Sequence, residues 1–171
     1  HDRVAQLYVP SNGQAVPFAD LGRGAFHKPS WFSGGGGLVS TAHDYNRFTT
    51  LLRNGGELDG VRLISPTTLS LMTENQLPNG GDLAATARDS FSETDMTGIG
   101  FGLGFAVLLD RGRNRSAAGN GLFTWGGAAS TSFWVDPVED ITATFFTQLL
   151  PSSTYPVRRL LQRAVYQAIV N

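Results

Sequence analysis

The sequence predicts an α+β fold in which an antiparallel sheet is flanked by helices. Apolar residues recur at helical spacing between Thr41 and Gly55, and again after Pro156. Between these segments, residues 100–148 are rich in aromatic and β-branched residues and are interrupted by short, turn-rich links. Strands joined by short links pair as an antiparallel meander. We therefore expect helices first, then the sheet, then a helix laid on the sheet.

Composition excludes several classes of protein. Of the 171 residues, 41% are hydrophobic and 16% are charged, which supplies enough apolar material for a core. A net charge of -1, from 13 basic and 14 acidic residues, favours neither nucleic acid nor an anionic membrane surface as a partner. No apolar run approaches the ~20 residues of a membrane span. The chain has no cysteine, which excludes disulfides, zinc–thiolate sites and a cysteine nucleophile.

The first helix follows a long segment without clear periodicity. Residues 1–33 are punctuated by proline and glycine and are expected to be irregular, with a short helix or strand at residues 4–9. Thr41 is the predicted N-cap, and Asp44, three residues later, completes a pair similar to a capping box. Gly55 is the predicted C-terminal stop.

The middle of the chain changes from helical to strand periodicity. Ser65-Pro66 predicts the N-cap and first turn of a second, shorter helix, and residues 75–98 are expected to form a loop. Strands are predicted over residues 100–109, 122–125, 131–135 and 141–148.

The last predicted helix is amphipathic. Its apolar residues form one stripe: Pro156, Val157, Leu160, Leu161, Ala164, Val165, Ala168 and Ile169. Arg158, Arg159 and Arg163 lie mostly off that stripe. We expect the stripe to be buried against the adjacent sheet.

Four segments occur in an order and spacing that resemble one family. They are residues 32–42 with the run Gly34-Gly35-Gly36-Gly37, residues 54–66, the run Gly100-Phe101-Gly102-Leu103-Gly104-Phe105, and Trp125-Gly126-Gly127-Ala128 followed by residues 133–137. Together they resemble the C-terminal portion of class C β-lactamase-like serine hydrolases, a family that includes penicillin-binding proteins and carboxylesterases. The Trp-Gly-Gly version of the last segment is similar to the esterase branch.

The resemblance implies a sheet built from both ends of the chain and a serine nucleophile in a Ser-x-x-Lys motif, assisted by a tyrosine. The single lysine, Lys28, has Ala25 three residues upstream, so this motif is absent. Tyr45 has the spacing of a core residue of the first helix. We therefore expect residues 1–171 to be the C-terminal part of one β-lactamase-like hydrolase domain. The nucleophile would lie in the N-terminal portion of the same protein, and this chain alone would be inactive.

The candidate site residues also follow from the resemblance. Trp125-Gly126-Gly127 takes the place of the Lys-Thr-Gly motif of lactamases, and by the family pattern the backbone N–H of Ala128 is the oxyanion donor. Gly126 and Gly127 are expected to let an acyl group lie against the strand backbone. Trp125 would form an indole wall that favours apolar ester groups over the carboxylate of a β-lactam. Phe91, in the polar loop, is a further candidate substrate contact.

The resulting expectation is part of a bacterial serine hydrolase that cleaves carboxylic esters through an acyl-serine intermediate. A β-lactamase or D-amino-acid peptidase of the same family is one alternative, and a non-catalytic penicillin-binding-protein-like module or inactive fragment is another. Asp82, Asp89, Glu93 and Asp95 show no ligand spacing, so no metal or cofactor is expected. The expected partners are a small ester or β-lactam substrate and the N-terminal portion of the same protein. The bacterial cytoplasm and periplasm both remain open.

Overall fold

The computed structural model describes residues 3–18, 28–36, 38–86 and 95–170. The described residues contain one five-stranded antiparallel sheet, with strands in sequence order, and two small two-stranded sheets. Helices lie on both faces of the larger sheet. These features confirm the predicted α+β fold and its antiparallel meander.

The strands of the large sheet are β5 (Ile99–Phe101), β6 (Ala106–Leu108), β7 (Phe123–Gly126), β8 (Ser132–Asp136) and β9 (Ile141–Phe145). The small sheets pair β1 (Tyr8–Ser11) with β2 (Gln14–Pro17) and β3 (Glu57–Leu58) with β4 (Val61–Arg62). The helices are α1 (Ala42–Arg53), α2 (Pro66–Thr73), α3 (Leu83–Thr86), α4 (Arg111–Asn114) and α5 (Val157–Gln167). No helix in the described ranges is long and apolar enough to cross a membrane.

Two apolar clusters cover opposite faces of the large sheet, because alternate residues of a strand point to opposite sides. On one face, Leu52 of α1 and Leu69 of α2 pack with Phe133 and Val135 of β8. On the other face, α5 packs on a cluster centred on Trp134. The site strand β7 and its neighbour β8 are thus held from both sides.

The predicted caps of α1 and α2 are present. Thr41 Oγ1 accepts a hydrogen bond from the N–H of Asp44 at 3.1 Å, and the Thr41 hydroxyl donates to Asp44 Oδ2 at 2.8 Å. The Asp44 carboxylate therefore bonds the cap hydroxyl, where a capping box would bond the cap N–H. In α2, Ser65 Oγ accepts from the N–H of Thr68 at 3.0 Å, with Pro66 in the first turn.

The segment expected to be irregular contains a hairpin instead. Asn12 and Gly13 have φ values of 49° and 75°, and they connect the paired residues Ser11 and Gln14. Positive φ at both central residues is the geometry of the tight turn that matches the twist of a hairpin. The Asn-Gly pair is the local cause of this hairpin, and the expectation of an irregular segment did not take it into account.

The prediction of one continuous strand over residues 100–109 was wrong, because this segment forms the hairpin of β5 and β6. The N–H of Gly102 donates to the carbonyl of Phe105 at 2.8 Å, and Gly104 has φ of 106°. A Cβ on Gly102 would lie 2.0 Å from the carbonyl oxygen of Met72. The glycines of this run thus close a turn and admit the end of α2.

The loop predicted over residues 75–98 and the links around it contain short helices that periodicity did not indicate. The described part of this loop includes a 3₁₀ turn at Pro78–Gly80 and the single turn α3. The N-cap of α4 is Asp110, whose carboxylate accepts from the N–H of Arg113 at 3.0 Å. Elements of one turn bury too little apolar surface to leave a periodic pattern.

The stripe on α5 is less buried than expected. Leu161 and Val165 pack against the Trp134 cluster, and Tyr166 joins them. Leu160, placed on the same stripe, is 58% exposed. The face that contacts the sheet is therefore centred on residues 158, 161 and 165, which are also spaced as one helical face.

Candidate active site

The Trp-Gly-Gly segment lies at the end of the central strand β7. Trp125 pairs with Phe133 of β8, and Gly126 pairs with Ser132. Successive side chains leave a strand on opposite faces, so Trp125 and the missing side chain of Gly126 point to opposite sides. The Gly126 side faces α5, since a Cβ there would lie 2.7 Å from Nη2 of Arg158.

Trp125 presents an apolar surface to solvent. Its side chain is 46% exposed. Its ring meets Phe101 of β5 edge-on, with centroids 5.0 Å apart and planes at 79°. Edge-to-face contacts of this kind hold an aromatic ring in place without covering its other face. The indole can therefore act as one wall of a binding site.

A tight turn follows β7 and contains Ala128. The N–H of Gly127 donates to the carbonyl of Thr131 at 3.1 Å, and the N–H of Ser130 donates to the carbonyl of Gly127 at 3.1 Å. Ser130 has φ of 67°. This pattern is typical of a three-residue hairpin loop that ends in a left-handed residue.

The backbone N–H of Ala128 is available to an external acceptor. Ala128 is exposed, and within the described residues its N–H donates no hydrogen bond. A backbone donor that is held by a turn and left without a partner suits an oxygen that develops negative charge. Ala128 lies in the β7–β8 turn, one residue beyond Gly127 and not on the strand itself.

Arg158 of α5 is bonded to both sides of this turn. Its Nη2 donates to the carbonyl of Gly127 at 2.6 Å and to the carbonyl of Thr131 at 2.9 Å. A Cβ on Gly126 would meet this guanidinium, and a Cβ on Gly127 would lie 2.6 Å from Oγ1 of Thr131. The two glycines thus make room for Arg158 and Thr131, a requirement independent of any substrate.

Comparison with known proteins identifies the family. A family model described as beta-lactamase matches residues 1–167. The chain belongs to the beta-lactamase family. It is 37% identical over 153 residues to the Mycobacterium tuberculosis proteins Rv1367c and MT1414, the latter named an uncharacterized protein. That match covers 87% of this chain and 37% of each relative, so the chain spans little more than a third of their length.

Solved structures show the same fold. EstCE1, "a hydrolase with promiscuous acyltransferase activity", superposes with a TM-score of 0.73 at 26% identity, over 96% of this chain and 44% of that one. The unliganded selenomethionyl form of simvastatin synthase (LovD) from Aspergillus terreus gives a TM-score of 0.77 at 20% identity, over 98% and 43% of the two chains. The second likeness is evidence of the fold alone.

The other residues considered from the sequence fall into two groups. Phe91, Asp89 and Glu93 lie outside the described residues. Tyr45 packs against Phe133 and Phe146, with ring centroids 5.4 Å apart in each case, and burial raises the pKa of its phenol. Its position against the core agrees with the packing role predicted for it.

Asp82 has a structural role in the beta-lactamase-family chain. Its carboxylate accepts from the N–H groups of Gly98 and Ala85 and from Nη2 of Arg113. These bonds, led by that of Gly98, lower its pKa. Within the described ranges no cluster of three or more His, Asp or Glu residues could hold a metal ion.

Sequence reasoning missed Arg158, because it was grouped with the arginines that lie off the apolar stripe of α5. Its spacing to Leu161 and Val165, of three and seven residues, places it on the face that contacts the sheet. A cation on the sheet-facing side of an amphipathic helix is the signal that could have identified it.

Proposed function

We propose that this chain is the C-terminal part of a serine hydrolase that cleaves carboxylic esters through an acyl-serine intermediate. The observation that carries the proposal is the N–H of Ala128, which has no partner in the described part of the chain and is held in the turn after the half-exposed Trp125. The nucleophilic serine and its lysine would come from the N-terminal portion of the same protein, because Ser-x-x-Lys is absent from these 171 residues.

In the proposed reaction, the serine hydroxyl attacks the ester carbonyl and loses its proton to a general base. The carbonyl oxygen becomes an oxyanion, which accepts a hydrogen bond from the N–H of Ala128. The alcohol then leaves with a proton, and water cleaves the acyl-serine by the same route. Removing one donor of this kind typically costs about 3 kcal/mol of transition-state stabilisation.

Trp125 supports an ester over a β-lactam as the substrate. An indole offers apolar contact area and one N–H donor, and it has no positive charge for a substrate carboxylate. Phe101, packed edge-on against it, extends the same apolar surface. An apolar acyl or alcohol group is therefore the substrate feature that this wall would bind.

One solved structure also supports the proposal. EstCE1, at 26% identity, is described as a hydrolase with promiscuous acyltransferase activity, and transfer of an acyl group is the chemistry proposed here.

The test uses the full-length gene product with a short-chain aryl ester and a chromogenic cephalosporin. We expect kcat/KM for the ester to exceed that for the cephalosporin at least about tenfold, the scale on which an apolar pocket discriminates. We also expect a fluorophosphonate to label one serine and abolish turnover. Preferred cephalosporin turnover would favour the lactamase alternative. Absence of both turnover and labelling would favour the non-catalytic module.

A further inference from the structure

We propose that Arg158 is a positioning residue that aims the oxyanion donor by holding the carbonyl of the preceding residue. This rests on the proposed function, which makes the N–H of Ala128 that donor. Arg158 Nη2 donates to the carbonyl of Gly127 at 2.6 Å and to that of Thr131 at 2.9 Å. It therefore bridges the two residues that flank the turn.

The peptide bond transmits this contact to Ala128. The carbonyl of Gly127 and the N–H of Ala128 belong to one planar, trans peptide unit, so they point in opposite directions. Arg158 draws the carbonyl towards α5, and the N–H consequently points away from α5. Ser130 donates to the same carbonyl at 3.1 Å, so two donors fix the rotation of this peptide plane.

Charge adds a second effect. A guanidinium bonded to a carbonyl makes a stronger hydrogen bond than a neutral donor does. Bonds in a chain polarise one another, and a polarised carbonyl makes the N–H of its own amide a better donor. Arg158 would thus strengthen the Ala128 donor as well as orient it, without touching the substrate.

The Trp-Gly-Gly pattern is tied to this arginine. A Cβ on Gly126 would lie 2.7 Å from Nη2 and 2.8 Å from Cζ of Arg158, and 2.7 Å from the carbonyl oxygen of Thr131. A side chain at position 126 would therefore displace the guanidinium from the two carbonyls. Gly126 thus makes room for both the Arg158 guanidinium and the Thr131 carbonyl.

The helix that carries Arg158 is itself anchored to the sheet. Leu161 and Val165 pack on the Trp134 cluster, and Tyr166 bonds Asp136 at the end of β8. The guanidinium is therefore carried by a helix that is packed on the sheet, and it reaches the turn from a fixed position. This rigidity is what a positioning residue requires, since small misplacements of a catalytic group lower the rate strongly.

The test compares Arg158→Ala, Arg158→Lys and the control Arg163→Ala in the full-length gene product. Arg163 is exposed on the same helix. We expect Arg158→Ala to lower kcat for a short-chain aryl ester about 10- to 100-fold, less than the roughly 100- to 1,000-fold cost of losing an oxyanion donor outright, while KM changes less than about threefold. Arg158→Lys should restore part of kcat, because an ammonium can reach one carbonyl. Arg163→Ala should match the wild type.

A second measurement separates this inference from the proposed function. In selectively ¹⁵N-alanine-labelled protein, Arg158→Ala should shift the amide resonance of Ala128, and Arg163→Ala should not. Normal kcat and an unchanged Ala128 amide in folded Arg158→Ala would overturn the inference. A loss of thermal stability with kcat retained would assign a structural role alone. A responsive amide in a protein without ester turnover would contradict the proposed function and leave the orienting contact in place.

Discussion

Tyr166 donates a 2.6 Å hydrogen bond from its phenol to Oδ2 of Asp136. Asp136 is fully buried at the end of β8, and its carboxylate also accepts from the N–H groups of Gly119, Val138 and Glu139. The contact joins α5 to the sheet. It therefore also helps to fix the position of the helix from which Arg158 reaches the β7–β8 turn. Burial of an ionised carboxylate is tolerated here because several donors satisfy its oxygens.

Replacing Tyr166 by Phe should destabilise the protein by about 1.5–3 kcal/mol, the usual scale for a hydrogen bond to a charged group. The ring still packs, so the loss comes mainly from the phenol. Urea unfolding of the full-length protein would measure it. Tyr155→Phe is the matched control, because Tyr155 is 61% exposed and should change the free energy of unfolding by less than about 0.5 kcal/mol. Equal effects of the two substitutions would refute the role of the buried bond.

Asp136 should make stability depend on pH in the acid range. Burial opposes its ionisation, but the bonds from Tyr166 and from three N–H groups outweigh that effect and lower its pKa. The unfolded state, with a pKa of about 3.9, therefore binds more protons than the native state. The stabilisation is complete above that value and is lost as pH falls through the native pKa.

Asp136→Asn should accordingly reduce the pH dependence of the free energy of unfolding in the acid range. We expect the free energy of unfolding of the variant to vary less with pH below about 5 than that of the wild type, measured by urea titration at several pH values. Asp140→Asn, which removes one negative charge from the exposed turn after β8, is the control for the change in net charge. A wild-type slope in Asp136→Asn would contradict the assignment.

Gly126→Ala and Arg158→Ala should act on one contact. Each should lower kcat for an aryl ester about tenfold or more, since each removes the guanidinium from the Gly127 carbonyl. The double variant should lose little beyond the larger single effect, because groups in one network are not additive. Steady-state kinetics of the two single variants and the double variant measure the coupling between the effects of the two substitutions on kcat. Multiplicative losses would mean that the glycine and the arginine act separately.

Trp125→Lys should reduce the preference for apolar esters. It replaces the half-exposed indole by a cation, so kcat/KM for a short-chain aryl ester should fall about tenfold or more relative to that for an anionic substrate. Trp31→Lys is a control on an exposed tryptophan that is 63% accessible. If both variants retain the wild-type ratio, Trp125 is not a wall of the pocket.

Local signals predicted much of the fold. Thr41 and Ser65 mark helix starts because their side chains satisfy free N–H groups of the first turn, and this chemistry needs no tertiary information. The aromatic and β-branched runs of the meander were found for a similar reason. The Asn12-Gly13 turn is also locally encoded, because both residues readily adopt the positive φ that a two-residue hairpin turn requires.

Contacts between distant segments could not be predicted in this way. Gly102 is required by the carbonyl of Met72, and Gly126 by the guanidinium of Arg158, 32 positions further along the sequence. A sequence shows that a side chain is missing, but it does not show what occupies the space. The site was therefore located by resemblance, while the physical reason for its glycines came from the structure.

The most direct test of the central claim is to label the full-length gene product with a fluorophosphonate and map the modified residue by peptide mass spectrometry. The account predicts one labelled serine, followed by a lysine three residues later, outside the 171 residues described by this sequence. It also predicts that the same reagent leaves the 171-residue chain unlabelled. A labelled serine within this chain, or ester turnover by the full-length protein without any labelled serine, would contradict the account.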